Sequence, residues 1–173
     1  MWFWVELPCA IKDRSVPGAW LCSGLFLLYQ PNHLSIHAMN TKAVLEFADV
    51  AAIAAAAQAE AIKNNWAVSI AIVDDGGHLL SFQRLDGAAP VSAHIAPGKA
   101  RTAALGRRES KIYEDVINGG RASFLSAPTL EAMLEGGVPI MKDGQCLGAV
   151  GVSGVKSTED AQVAKAGIAA IGL

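Results

Sequence analysis

The sequence predicts a domain of the α+β class, in which an antiparallel sheet packs against helices. Two segments of alternating apolar residues each break at an aspartate–glycine turn, which is typical of β-hairpins. Segments with helical periodicity precede, separate and follow these hairpins. The order helix, hairpin, helix, hairpin, helix runs through residues 39–173, which we take as the domain.

The first helix and the first hairpin are predicted from alanine content and alternation. Val44–Asn64 is dense in alanine, a strong helix former, and Asn40 or Thr41 can cap it. Trp66–Val73 alternates as a half-buried strand does, with three of its apolar residues on one face. An Asp-Asp-Gly-Gly turn then leads into the return strand His78–Arg84.

The second half of the domain is predicted to contain three helices and a second hairpin. Ser92 is a candidate cap for a helix to about Arg107, in which Pro97 fits only in or near the first turn. The remaining predicted elements are a short helix within Arg108–Gly120, a hairpin of Val138–Met141 and Cys146–Ser153 around an Asp-Gly turn, and a last helix from Ser157 to Ile171.

Composition excludes several functional classes. The 173 residues carry a formal net charge of −2, so no basic field attracts nucleic acid or anionic lipid, and we expect neither as a partner. Three cysteines without a CxxC pair disfavour a disulfide framework and a structural zinc site. We therefore expect a cytoplasmic protein.

Residues 1–38 differ from the rest of the chain. They contain three of the four tryptophans, and prolines interrupt their apolar stretches. Three interpretations stay open: a segment upstream of the true domain, a leader or anchor, and an added structural arm. Because a leader is among them, secretion is not excluded, and the fold prediction does not use this segment.

Three motifs together resemble a known family. They are Ile72–Leu79 with Arg84–Gly87, Ile95–Ala103, and Gly136–Ile140 with Gly148–Gly154 and Asp160. Their order and spacing are similar to the GlcG/HbpS family, whose domain also forms the C-terminal part of PduO-type proteins. The resemblance covers residues 40–173. It implies a PAS- or profilin-like sheet with helices, binding of haem or another tetrapyrrole in some members, haem degradation in others, and oligomeric assembly.

Lys99 and Thr102 are the leading candidates for anion binding. They stand three residues apart near the start of a helix, so a cation and a hydroxyl share one face beside the positive end of the helix dipole. Gly148, Gly151 and Gly154 allow close backbone approach, either by a neighbouring helix or by a ligand.

Other candidates have structural alternatives of their own. Arg84 and Asp86 either form an ion pair that closes the hairpin or line a ligand cleft. Asp74 and Gly77 are interpreted as turn residues. The candidate ligand-binding set is therefore Arg84, Asp86, His94, Lys99, Thr102, Gly137 and Ser153.

His94 is the preferred axial ligand of a haem iron, ahead of His78, because it lies beside the Lys99 segment. These residues and the resemblance predict a homo-oligomeric binding domain for an anionic small ligand, with haem as the leading cofactor. The first alternative is an enzyme that acts on a small carboxylate, in which Lys99 orients the anion and Asp86 or His94 transfers a proton. The second is a structural accessory protein of a catabolic pathway.

Overall fold

The computed structural model describes residues 40–173, and the predictions for residues 1–38 lie outside the described residues. The chain runs through α1 (Phe47–Lys63), β1 (Ser69–Asp74), β2 (Leu79–Arg84), α2 (Ser92–Gly106), α3 (Lys111–Asn118), a short 3-10 helix (Ala122–Ser126), β3 (Gly137–Lys142), β4 (Gln145–Ser153) and α4 (Ser157–Ala169). Within residues 40–173, no helix has the length and apolar character needed to cross a bilayer.

The four strands form one antiparallel sheet in the order β2-β1-β4-β3. The two hairpins join through their inner strands, with Ile72 opposite Val150. The strands β2 and β3 are left as the edges. The α+β prediction, an antiparallel sheet packed with helices, is confirmed.

Helices cover both faces of this sheet. On one face, α1 and α4 bury the aliphatic side chains Val68, Ile70 and Ile72 in the larger core. On the other face, the alanines of α2 pack against Ala71 and Val73. The prediction that β1 is half-buried is therefore wrong, because α2 covers its second face with alanines that gave no strong apolar signal in the sequence.

Glycines allow α2 to lie directly on the sheet. A Cβ atom at Gly151 would fall 2.2 Å from the carbonyl oxygen of Ala96, and one at Gly137 would fall 2.3 Å from that of Lys99. No side chain fits at either position. The close approach that the sequence left open is thus made at Gly151 by a helix.

The start of α1 and the position of Pro97 within α2 differ from prediction. Helix α1 begins at Phe47, where the backbone amide of Glu46 donates to Asp49 Oδ2 at 2.9 Å, so neither Asn40 nor Thr41 is its cap. Pro97 lies inside α2, beyond the first turn, where it removes one intrahelical hydrogen bond. The predicted positions of α3, α4 and the second hairpin are confirmed to within a few residues.

Candidate functional site

A cleft of about 580 Å³ opens between the β1–β2 turn and α2. It is lined by Gly76, Gly77, His78, Leu79, Arg101, Leu105, Thr129 and Glu131. The lining combines an imidazole, a guanidinium and two exposed leucines, so the cleft offers polar and apolar contacts to one ligand.

Asp74 orients the His78 ring at the mouth of the cleft. The ring Nδ1 lies 3.1 Å from Asp74 Oδ2, while Asp74 Oδ1 accepts hydrogen bonds of 2.8 Å from the backbone amides of Gly76 and His78. In the neutral tautomer whose Nδ1 donates to this carboxylate, the lone pair lies on the other ring nitrogen, Nε2. The His78 side chain is 81% exposed, so this nitrogen is accessible to a metal or a substrate.

The Asp74 carboxyl is held in its ionised form. Partial burial by itself raises its pKa, but hydrogen bonds from the His78 amide and ring, the charge interaction with the ring and the Gly76 amide together outweigh burial. The net result is a pKa below the ordinary value of an aspartate. Asp74 is therefore a permanent acceptor for His78 at neutral pH.

The two turn glycines make room for two polar side chains of the cleft, those of His78 and Arg101. A Cβ atom at Gly76 would lie 2.8 Å from the His78 ring, and one at Gly77 would lie 2.9 Å from Cγ of Arg101. Gly77 also has a φ of 81°, which confirms its predicted positive-φ turn role. Because these two positions lack side chains, the His78 ring can lie against the β1–β2 turn at Gly76 and the Arg101 side chain can lie against it at Gly77.

Lys99, the leading predicted anion contact, is directed into the interior. Its ammonium donates to Asp160 Oδ2 at 2.8 Å and to the carbonyl oxygen of Val152 at 3.0 Å. Burial raises the pKa of Asp160, against the opposing hydrogen bond and charge of Lys99. The charge of Lys99 is therefore used inside the fold, and only 3% of its side chain is exposed to a ligand.

Three other predicted ligand residues are also enclosed. Thr102 is buried and its hydroxyl is hydrogen-bonded to the backbone of Glu131. Gly137 packs under α2, and Ser153 is buried at the end of β4, opposite Ser69. The structure brings Lys99 and Gly137 into contact, but as packing between α2 and β3.

Arg84 and Asp86 do not form the predicted ion pair among the described residues. The guanidinium of Arg84 donates instead to the carbonyl oxygen of Ala88, at 3.1 Å from Nε and 2.6 Å from Nη2. This carbonyl accepts both hydrogen bonds at once, so Arg84 closes the hairpin through the backbone. Asp86 lines a separate groove with Trp66 and Leu85, at the end of α1.

His94 is exposed on the outer face of α2, the face that also presents Arg101. The two residues stand seven apart, which is two helical turns. His94 is absent from the lining of the cleft, whereas His78 is part of it. Closeness in sequence therefore does not place His94 and Lys99 on the same face of α2, because Lys99 lies on the opposite side of the helix.

Arg101 is the cleft residue that the sequence analysis missed. A signal was available, because Ala96, Ala100 and Ala103 mark the inner face of α2. Lys99 lies beside that inner face, whereas Arg101 lies opposite it. The helical periodicity of the alanines would have selected Arg101 as the exposed cation.

The family of this chain follows from comparison with known proteins. The family model described as haem degrading protein HbpS-like matches residues 45–169. The chain belongs to the HbpS-like family. The resemblance predicted from the three motifs is confirmed.

Two sequence relatives support the assignment to the HbpS-like family. Protein GlcG of Escherichia coli strain K12 is 59% identical over 115 residues, which are 66% of this chain and 85% of GlcG. The corrinoid adenosyltransferase PduO of Salmonella typhimurium is 30% identical over 135 residues, 76% of this chain but 40% of PduO.

Solved structures of the family share this fold. A PduOC–haem complex superposes with a TM-score of 0.69 at 28% identity, covering 74% of this chain and 95% of the other. A double mutant of HbpS from Streptomyces reticuli gives a TM-score of 0.71 at 26% identity, covering 93% and 100%.

Proposed function

We propose that this HbpS-like protein binds a small ligand with an apolar body and at least one carboxylate in the cleft of His78 and Arg101, with haem as the leading candidate. One observation supports the proposal most: Asp74 holds the His78 ring by Nδ1, which leaves Nε2 free in a cleft that also contains a guanidinium. This is the arrangement that orients histidine ligands of metals in proteins.

The residues present fit haem. His78 Nε2 would hold the iron, Leu79 and Leu105 would offer apolar contact to the macrocycle, and Arg101 would bind a propionate. When bound, haem supplies the iron centre and two carboxylates. The cleft volume of about 580 Å³ lies within the range of small-ligand sites.

The relatives support the same ligand class. The family description names haem degradation, and the PduOC domain has been solved as a complex with haem. Since family members differ in function, we extend to this chain the ligand class and not a reaction. We place the protein in the cytoplasm, as the composition predicts.

Hemin titration followed by absorbance tests the proposal. The parent protein is expected to bind hemin saturably with a defined Soret band, and His78→Ala is expected to shift that band because the axial nitrogen is lost. His94→Ala is the matched control, since His94 is the exposed histidine that the sequence predicted as the axial ligand. A shift in His94→Ala alone would return the axial role to His94, and absence of saturable binding would exclude haem.

The anion contact is tested separately. Arg101→Gln removes one charge-assisted contact and should weaken hemin binding about five- to tenfold. This value is at the lower end of the range for such contacts, because the Arg101 side chain is partly exposed. Lys142→Gln removes the same charge from the opposite edge of the sheet and should leave affinity unchanged. Equal affinity in all three proteins would exclude Arg101.

A second candidate function is proton transfer on a small carboxylate. The Asp74–His78 pair favours it, because an oriented imidazole with a free Nε2 is a general base. Nε2 would take a proton from the carbon beside a carbonyl, leaving the electron pair on the carbonyl oxygen, and return a solvent deuteron to carbon. Exchange of the methyl protons of pyruvate in D2O, measured by NMR, should then be accelerated by the parent and not by His78→Ala.

We also propose that the protein is a homo-oligomer that associates through α1. The side of α1 that faces away from the core exposes Phe47, Ala51, Ala55 and Ile62 at helical spacing. Phe47 and Ile62 are 88% and 59% exposed, which leaves an apolar stripe along the helix. A second copy of the chain is the partner that the predicted homo-oligomer requires.

A further inference from the structure

Arg101 already has a carboxylate partner within the cleft. Its Nη1 lies 2.9 Å from Oε2 of Glu131, and the two side chains are 41% and 60% exposed. Both residues line the cleft. The guanidinium that we assign to a ligand carboxylate is thus paired with a carboxylate of the chain itself.

The backbone of Glu131 is fixed while its side chain is exposed. The Thr102 hydroxyl donates to the Glu131 carbonyl oxygen, and the Glu131 amide donates to Thr102 Oγ1 at 3.1 Å. The loop lies so close to α2 that a Cβ atom at Gly98 would fall 2.9 Å from Cβ of Ala132. These contacts keep the Glu131 side chain over Arg101 without burying it.

We propose that Glu131 acts as an internal competitor that occupies Arg101 and sets the affinity and carboxylate selectivity of the cleft. This inference rests on the proposed function of the cleft. A ligand carboxylate must displace the Glu131 carboxylate from the guanidinium or bind beside a like charge. Exposed ion pairs contribute little free energy, so displacement is possible but reduces affinity.

Thr102 is a positioning residue in this arrangement. It contacts the Glu131 backbone at both the amide and the carbonyl, and it acts on the ligand only through that residue. The Thr102 hydroxyl, which was predicted to contact the ligand, thus holds the backbone of Glu131 instead. A neutral ligand has no carboxylate that binds Arg101, so its affinity should not depend on Glu131.

Hemin affinity of Glu131→Gln tests the inference. Removing the competing charge should tighten hemin binding about two- to fivefold, the range expected for one exposed ion pair. Iron protoporphyrin IX dimethyl ester has no free carboxylate, so its affinity should not change. Glu109→Gln is the matched control, because Glu109 is ion-paired to Lys165 outside the cleft lining.

A double-mutant comparison separates this inference from the proposed function. In an Arg101→Gln background, the gain from Glu131→Gln should disappear, since there is no guanidinium to compete for. If Arg101→Gln weakens hemin binding but Glu131→Gln does not strengthen it, the inference is wrong and the proposed site stands. If the dimethyl ester gains as much as hemin, the effect is not carboxylate competition and the inference is also wrong. If neither Arg101→Gln nor His78→Ala alters hemin binding, the proposed site itself is wrong.

Discussion

The Lys99 ammonium and the Asp160 carboxylate lie 2.8 Å apart in the interior, with only 3% and 2% of the two side chains exposed. Asp160 Oδ1 also accepts from the backbone amide of Val155 at 3.2 Å. A Cβ atom at Gly136 would lie 2.8 Å from Lys99 Nζ, so the chain closes tightly over the pair. The pair connects α2 to α4 and to the carbonyl of Val152 in β4.

Breaking this pair should destabilise the fold. Lys99→Met leaves the Asp160 carboxylate buried without its partner, and we expect the free energy of unfolding to fall by about 3–5 kcal/mol. Urea unfolding followed by circular dichroism measures the change. Lys142→Met is the control, because the Lys142 side chain is exposed at the edge of the sheet and its loss should change stability by less than about 0.5 kcal/mol.

The double variant Lys99→Met/Asp160→Leu should be more stable than the sum of the single changes predicts, because no charge is left unpaired. Hemin affinity of the folded Lys99→Met protein should match the parent. A stable Lys99→Met protein that had lost hemin affinity would instead support the sequence-based assignment of Lys99 to the ligand.

Stability should depend on pH through Asp74. Its folded-state pKa lies below the ordinary value, so its contribution is present above the ordinary aspartate pKa and is lost as pH falls through the folded pKa. The difference in unfolding free energy between the parent and Asp74→Asn should therefore shrink as pH decreases below about 4. Urea titrations at several pH values measure it, and a difference independent of pH would contradict the assignment.

Gly77→Ala should affect both stability and ligand binding. A left-handed backbone with an added Cβ costs about 1–3 kcal/mol, and this Cβ also collides with Cγ of Arg101. Gly87 has the same φ of 81°, but among residues 40–173 its added Cβ meets only Ala67, at an ordinary 3.5 Å. Gly87→Ala should therefore lose stability without losing hemin affinity, whereas Gly77→Ala should lose both.

The oligomer prediction is tested on the outer stripe of α1. Ala55→Glu places a charge in the middle of this stripe and should shift the mass measured by light scattering toward the monomer. Ala122→Glu adds the same charge at an exposed position on the 3-10 helix and should leave the mass unchanged. A monomeric parent at working concentration would exclude association through α1.

A chain that begins at Met39 should fold cooperatively. The larger core is built from α1, α4 and the sheet, all within residues 40–173. Thermal unfolding of this fragment and of the full chain should give similar midpoints. Loss of the cooperative transition in the fragment would place the tryptophan-rich segment within the fold.

The sequence by itself determined the elements and the class of this protein. Asp-Gly turns and alternation located both hairpins, alanine content located α1, and a capping pattern located α4. These signals are local, because turn chemistry and helix propensity depend on neighbouring residues. The turn roles of Asp74 and Gly77 were predicted for the same reason and are confirmed.

The tertiary structure alone decided which carboxylate each cation of α2 pairs with. Lys99 and Arg101 are both cations of one helix, two residues apart, and no local signal that we used distinguished them. Their difference comes from what α2 packs against: Asp160 lies 61 positions along the chain from Lys99, and Glu131 lies 30 positions from Arg101. Lys99 is therefore buried in an interior ion pair, whereas Arg101 lies in the cleft. Only the folded chain brings these two distant carboxylates to opposite sides of α2.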